Sequence, residues 1–248
     1  MEHISIKAET LFHLGPLPVT NTMLTAWVVM FGLIVVAILT SRSLKKIPGK
    51  FQNFVEMIIE ALLDFLTTIT GSREATKRFF PIVATIFLFV LASNWMGILP
   101  GFGSIGVHTV NAQGQETFIP LFRSVYSDIN MTLALALIVV VLSHLYGLLA
   151  VGVKHHLGKF IILKNPILFF AGILEIVSEF SKIISLSFRL FGNIFAGEVL
   201  LIIMGSLIPY LATVPFLGME LFVGFIQAII FAVLAMVAFS TFTRTESH

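Results

Sequence analysis

Apolar residues fall in five long blocks: Thr22–Thr40, Phe79–Pro100, Ile129–Val153, Ile167–Leu207 and Val214–Thr243. Each meets the length of about 20 residues that an α-helix needs to cross a hydrocarbon core of ~30 Å. A sixth segment, Phe51–Thr70, has a different pattern. Asn53, Glu56, Glu60 and Asp64 recur every three or four residues and make one polar stripe, while Phe54, Ile58, Leu62 and Phe65 make an apolar one. Three acids make full insertion costly, so this pattern predicts an amphipathic helix lying in the membrane interface. The last two blocks are longer than one crossing requires. As helices they would measure about 60 Å and about 45 Å at ~1.5 Å per residue. Pro166 precedes the first, and Pro209 and Pro215 bracket their connection. Continuous helices of that length must be steeply tilted and packed together as a hairpin turning near residue 208.

The predicted fold is therefore an all-α integral membrane protein forming a single membrane domain over 1–248. It has about five membrane helices, one interfacial helix and a long tilted hairpin at the end. The expected boundaries are 1–21 for an external N-terminal segment, 22–41 for the first span and 51–70 for the interfacial helix. The second span follows at 79–100, an external loop rich in glycine and polar residues (Asn111, Gln113 and Gly114 among them) at 101–127, the third span at 128–153 and the hairpin at 166–243.

Composition agrees. The chain is 57% hydrophobic and 11% charged, against roughly 25% charged in a soluble domain. It has no cysteine, which removes disulfides and thiolate metal or redox sites. No metal or cofactor site is expected. The net charge of +2 does not point to nucleic acid, because the basic residues sit beside the spans. Arg42, Lys45, Lys46, Lys50, Arg73, Lys77 and Arg78 lie between the first and second spans. Lys154, Lys159 and Lys164 follow the third and Arg244 the last, against only Lys7 and Arg123 on the other side. The positive-inside rule places the N-terminus outside and the C-terminus in the cytoplasm. The first span lacks a basic start and a small-residue cleavage site, so it is expected to be retained.

Arg189 breaks the apolar pattern of the fourth block. A guanidinium cannot lose its proton to escape an apolar setting, and at mid-membrane depth it costs at least about 2.5–3.5 kcal/mol. Its own helix offers Ser185 four residues before it and Asn193 four after, but no acid at either spacing. Glu175, Glu179, Lys182, Arg189 and Asn193 share one stripe, in which Glu179 and Lys182 can pair. If the hairpin turns near residue 208, Arg189 comes level with Gln227, and Glu198 with Glu220. A polar track then runs from Glu198 and Glu220 to Arg189 and Gln227, with Ser185, Lys182, Glu179 and Glu175 continuing toward the cytoplasm. A fixed positive charge between the two halves repels a bare proton, which can pass only on a carrier. Helix carbonyls, Asp128 or a neighbouring subunit would be the structural alternative for satisfying Arg189. His144 reads as a packed residue of the third span, and His155 and His156 as solvated residues of a basic loop.

The stretch SLSFRLFGNIFAGE (Ser185–Glu198), with a glutamine thirty-eight residues beyond its arginine, resembles subunit a of F-type ATP synthases of the bacterial or chloroplast type. SNWMGILPG (Ser93–Gly101), SDINMTLALAL (Ser127–Leu137) and FQNFVE (Phe51–Glu56) agree with that family in order and spacing. The resemblance implies a non-catalytic stator subunit for ATP synthesis and proton transport in an energy-coupling membrane such as the bacterial inner membrane. It implies a c-ring facing Arg189, peripheral-stalk b subunits as neighbours, and H⁺ as the translocated ion, with Na⁺ as the alternative. By resemblance, Arg189 attracts each deprotonated ring carboxylate, with Gln227 and Asn193 beside it. Glu198 and Glu220 then fall in the external half-channel, and Glu175, Lys182 and Ser185 in the cytoplasmic one. A stand-alone ion channel or secondary transporter is the rival; it predicts internal repeats or broken helices around a midplane site. A membrane anchor of a respiratory complex leaves Arg189 without a role.

Overall fold

The computed structural model describes residues 8–42, 44–45, 47–99, 101–110, 116–158, 166–207 and 213–243. Lys7, Lys46, Lys159, Lys164 and Arg244 of the charge pattern, the loop residues Asn111, Gln113 and Gly114, and the turn expected near residue 208 lie outside the described residues. The helices are α1 (Asn21–Arg42), α2 (Lys50–Thr70), α3 (Arg73–Ile98), α4 (Ile129–Val151), the short α5 (Val153–Gly158), α6 (Pro166–Leu207) and α7 (Thr213–Thr243). Of these, α1, α3, α4, α6 and α7 are long and apolar enough to cross a membrane. The all-α membrane architecture expected from the apolar blocks is the one observed.

Local signals explain the boundaries. Gly71 ends α2 in the left-handed region at φ 74°, and its N–H reaches the Thr67 carbonyl, a turn a β-carbon disfavours. Ser72 then caps α3 by accepting from the Ala75 N–H, with Glu74 in the first turn, where an acid suits the helix dipole. The helix therefore starts six residues before the apolar block and runs through Pro81. That proline removes one backbone donor from the ladder without ending the helix. On α2, Leu62 and Leu66 are buried while Phe51, Phe54, Met57 and Phe65 stay exposed. Arg73 reaches back to Asp64 at 3.2 Å and Glu60 at 3.8 Å.

The core lies where α3, α4 and α7 meet. Phe79, Val83, Ile86, Phe87 and Val90 of α3 face Ala228, Phe231, Ala232, Ala235, Met236 and Phe239 of α7. Both sets follow the helical period, and the alanines let the backbones approach closely. Phe79 and Tyr146 meet edge to face at 5.0 Å, and Tyr146 lies 5.4 Å from Phe239, within the range of favourable aromatic pairing. Helix α6 packs on α4 through Leu186, Leu190 and Ile194. α6 and α7 do touch, but each packs more extensively on α4 than on the other. The hairpin thus closes over α4 and is not a free-standing pair, because the smallest faces of α7 are turned to α3 and α4.

Two antiparallel hairpins were not anticipated within 1–21 and 101–127: β1 (Thr10–Leu14) with β2 (Leu17–Thr20), and β3 (Gly106–Val110) with β4 (Glu116–Pro120). Strands of four or five residues broken by Gly15, Pro16 and Pro18 show too little alternation to be read as sheet, and such ribbons are marginal unless they dock. They dock here through polar groups. Asn21 Nδ2 donates to the Pro120 carbonyl at 3.4 Å, and the Arg123 N–H donates to Thr25 Oγ1 at 3.2 Å. Asp128 caps α4 by accepting from the Asn130 N–H at 2.9 Å and also accepts from Thr22 Oγ1 at 3.1 Å, tying α1 to α4. Asp128→Ala removes the cap and leaves the buried Thr22 hydroxyl without its acceptor. We expect a loss of about 2 kcal/mol, read as a lower midpoint of denaturant unfolding of the purified protein in mixed micelles.

Candidate functional site

Helix α6 has two unlike faces. Leu186, Ser187, Leu190, Ile194 and Gly197 are buried, and Ser187 shares a 2.9 Å hydroxyl hydrogen bond with Thr132 of α4. Ser185, Phe188, Arg189, Gly192 and Asn193 are exposed on the opposite side. The arginine is thus carried on a helix whose back is fixed and whose front is open. Ile184 and Phe188, near it in the same helix, are large apolar side chains that are also exposed.

Among the described residues, Arg189 forms no ion pair. Its Nη2 donates to Ser185 Oγ at 3.5 Å, the outer limit of a hydrogen bond. Asp128, the structural alternative, is committed to Thr22 and Asn130. Gln227 is buried at 1% exposure; its Oε1 accepts from Asn193 Nδ2 at 3.0 Å. The interhelical hydrogen bond therefore joins Gln227 to Asn193, one turn beyond Arg189. The Gln227 Nε2 has no partner among the described residues, an unsatisfied donor beside an open face.

Toward the end of α6 near residue 207, Glu220 is buried and its carboxylate rests on α6 at Gly197, where a β-carbon would overlap both carboxylate oxygens. The glycine is what admits the carboxylate. Glu198, the next residue, pairs with Arg123 Nε at 3.3 Å. Arg123 was not among the sequence candidates. It is one of only two charged residues in 101–127, with Glu116, and that isolation was the available signal. Asn94 Nδ2 donates to the Gly224 carbonyl at 3.0 Å, and Trp95 Nε1 to the Leu221 carbonyl at 3.1 Å; both hold α7 to α3 beside this acidic pair. Nearby, Tyr126 is wholly buried, and that burial pushes its phenol well above the usual range, so it stays neutral.

Toward the start of α6, Lys182 Nζ binds Glu179 Oε1 at 2.5 Å, the pairing expected from spacing. Glu175 is exposed. Glu179 is buried, however, and turns to α4, where its Oε2 lies 3.6 Å from His144 Nε2. His156 is 2% exposed, which corrects its reading as a solvated loop residue. The helical turn of α5 folds it back onto Gly147 of α4, where no side chain stands in the way. The side chain of His155 lies outside the described residues.

The arrangement is an arginine without an ion pair among the described residues, on an open face, with a part-buried acid–base cluster on each side of it along the same helix. Comparison with known proteins agrees. Residues 23–240 match the family model described as ATP synthase A chain. ATP synthase subunit a of Geotalea daltonii is 39% identical over 214 residues, covering 85% of this chain and 82% of the relative. That of Citrifermentans bemidjiense is 36% identical over 220 residues, covering 88% and 85%. That of Trichlorobacter lovleyi is 31% identical over 240 residues, covering 96% and 93%. With the match running through the helices that carry Arg189, Glu198 and Gln227, the chain belongs to the ATP synthase A chain family.

Proposed function

We propose that this chain is the stator side of a rotary proton channel, facing a ring of c subunits across the exposed front of α6. The observation that carries the reading is Arg189: a permanent cation on an apolar, open helix face, with no acid of its own chain within ion-pair reach among the described residues. A buried-membrane charge needs a partner, and a carboxylate on a neighbouring, moving subunit supplies one. A ring carboxyl arriving opposite Arg189 loses its proton because the guanidinium favours the anion. Once carried on into lipid it must be protonated, since a bare charge there is prohibitive. Rotation therefore requires a proton at each step. Each proton crossing 100 mV supplies about 2.3 kcal/mol.

In this reading Glu198 and Glu220 line the external half-channel, and Glu175, Lys182 and Ser185 the cytoplasmic one. Asn193 and Gln227 hold the face beside the arginine. The N-terminus is outside and the C-terminus cytoplasmic, in a bacterial plasma membrane, with α2 in the interface and b subunits as neighbours. H⁺ is the ion. Nucleotide chemistry belongs to other subunits. Because the chain contains no cysteine, Ser185→Cys and Asn193→Cys give clean probes. Each is expected to form a disulfide with a cysteine placed one turn from the ring carboxyl, and ATP hydrolysis should then stop until reductant is added. Absence of any crosslink from either position, in assembled complex, defeats the reading.

A further inference from the structure

The cluster at the far side of Glu179 has no part in the ring-facing stripe. Glu179, with its side chain 9% exposed, holds Lys182 on one oxygen and lies 3.6 Å from His144 Nε2 with the other. The second nitrogen of His144, Nδ1, is 3.1 Å from His156 Nε2. The His156 ring is seated on α4 at Gly147, where a β-carbon would stand 2.6 Å from Cε1 and 2.7 Å from Nδ1. Phe242 of α7 closes the site, 4.8 Å from the His144 ring and 5.3 Å from that of His156, with Lys182 Nζ 5.4 Å from its centroid. Among the described side chains, the charged or titratable groups facing the imidazole pair are Glu179 and Lys182 from α6; α7 contributes only Phe242.

Four helices therefore converge on a carboxylate–imidazole–imidazole chain. Packing alone would be met more cheaply by apolar side chains, because each buried polar group must be desolvated. Histidine is the side chain that exchanges protons near neutral pH, and which nitrogen carries the proton is set by what the other one bonds.

We propose that Glu179, His144 and His156 form the proton-exchange station at the cytoplasmic end of the path, a role resting on the stator reading above. In the synthesis direction, a ring carboxyl at Arg189 becomes a carboxylate and its proton travels along the Ser185–Lys182 stripe to the Glu179 carboxylate. A small rotation of the Glu179 side chain closes the 3.6 Å gap to hydrogen-bond length, and the carboxylic acid then passes the proton to His144 Nε2, which restores the carboxylate and makes an imidazolium. The Nδ1–Nε2 hydrogen bond shares that charge with His156. His144, 27% exposed, then yields one proton to water, and the pair is neutral again. One proton has moved and every group is back in its starting form. Lys182 pairs with the Glu179 carboxylate between transfers.

The test uses the assembled complex in inverted membrane vesicles, with ATP-driven proton pumping followed from about pH 5 to 8, where imidazole titrates. The variants are the double His144→Gln/His156→Gln and Arg189→Ala. Glutamine keeps size and hydrogen bonding but cannot carry a proton. The double variant is expected to pump about a hundredfold more slowly, the lower end of what a positioned acid–base group contributes, and to lose the pH dependence of the wild type across that window. A wild-type rate and pH profile in the double variant overturns the station. Should that variant fail to assemble, single His144→Gln, at the more exposed position, replaces it and the same two outcomes decide. The two ideas separate cleanly. Normal pumping in the histidine variant with none in Arg189→Ala removes only the station, whereas pumping in Arg189→Ala removes the stator reading itself.

Discussion

Arg189→Ala is expected to abolish both ATP-driven proton pumping and proton-driven ATP synthesis in membrane vesicles, while the complex still assembles. Arg189 is exposed, and among the described residues its side chain makes no ion pair and only the long hydrogen bond to the exposed Ser185. Its removal therefore leaves the α4–α6 seam of Leu186, Leu190 and Ile194 intact. What is lost is the attraction on an arriving carboxylate. At ~4 Å and an effective dielectric near 20, that attraction is of order 4 kcal/mol, about a thousandfold in the equilibrium between the charged and protonated carboxyl. Without it the ring carboxyl keeps its proton and passes the stator without exchange. Arg189→Lys should not restore coupling, because a compact ammonium on a flexible stem lacks the planar fork and holds its proton less firmly when desolvated. Coupled pumping at more than a few per cent of wild type in an assembled Arg189→Ala complex would falsify the assignment.

The second large effect is expected from Glu198→Gln/Glu220→Gln. The two acids differ in setting: Glu220 is buried against Gly197, whereas Glu198 is part exposed and paired with Arg123. Neutralising Glu198 alone leaves the part-buried Arg123 without that partner, so the single variant should lose stability as well as flux. Neutralising both removes the acid–base capacity of the proposed external track. Proton uptake driven by an imposed potential should then fall at least tenfold, since positioned acid–base groups typically contribute 10²–10⁴. Wild-type uptake in the double variant would show that protons reach the ring by some other route.

The sequence carried the fold class and the arginine because both depend on strong, local signals. Block length and hydropathy report spans directly, and a cation in a long apolar run stands out. The pairing of Glu179 with Lys182 was legible for the same reason, being set by the helical period. Contacts between elements were not. Arg123 approaches Glu198 across seventy-five residues, and His156 is buried only because α5 turns back onto a glycine of α4. Neither the periodicity of one helix nor a symmetric hairpin register reports such a fold-back. The expected register is met where the Glu220 carboxylate lies on Gly197, but it did not say that the hydrogen bond of Gln227 goes to Asn193, one turn from Arg189.

The hydrogen bond between Ser187 and Thr132, directly behind the arginine-bearing face, has a mechanical meaning. In the proposed stator role, a ring dragged past α6 exerts a sideways force on Arg189, and that force needs somewhere to go. The contacts of α6 route it into α4, and from α4 into the aromatic seam shared with α3 and α7, while the lighter α6–α7 contact bears little of it. The arginine is a loose tip on a braced post. On that proposal, its guanidinium follows each passing carboxylate while its backbone resists the torque that the passage creates.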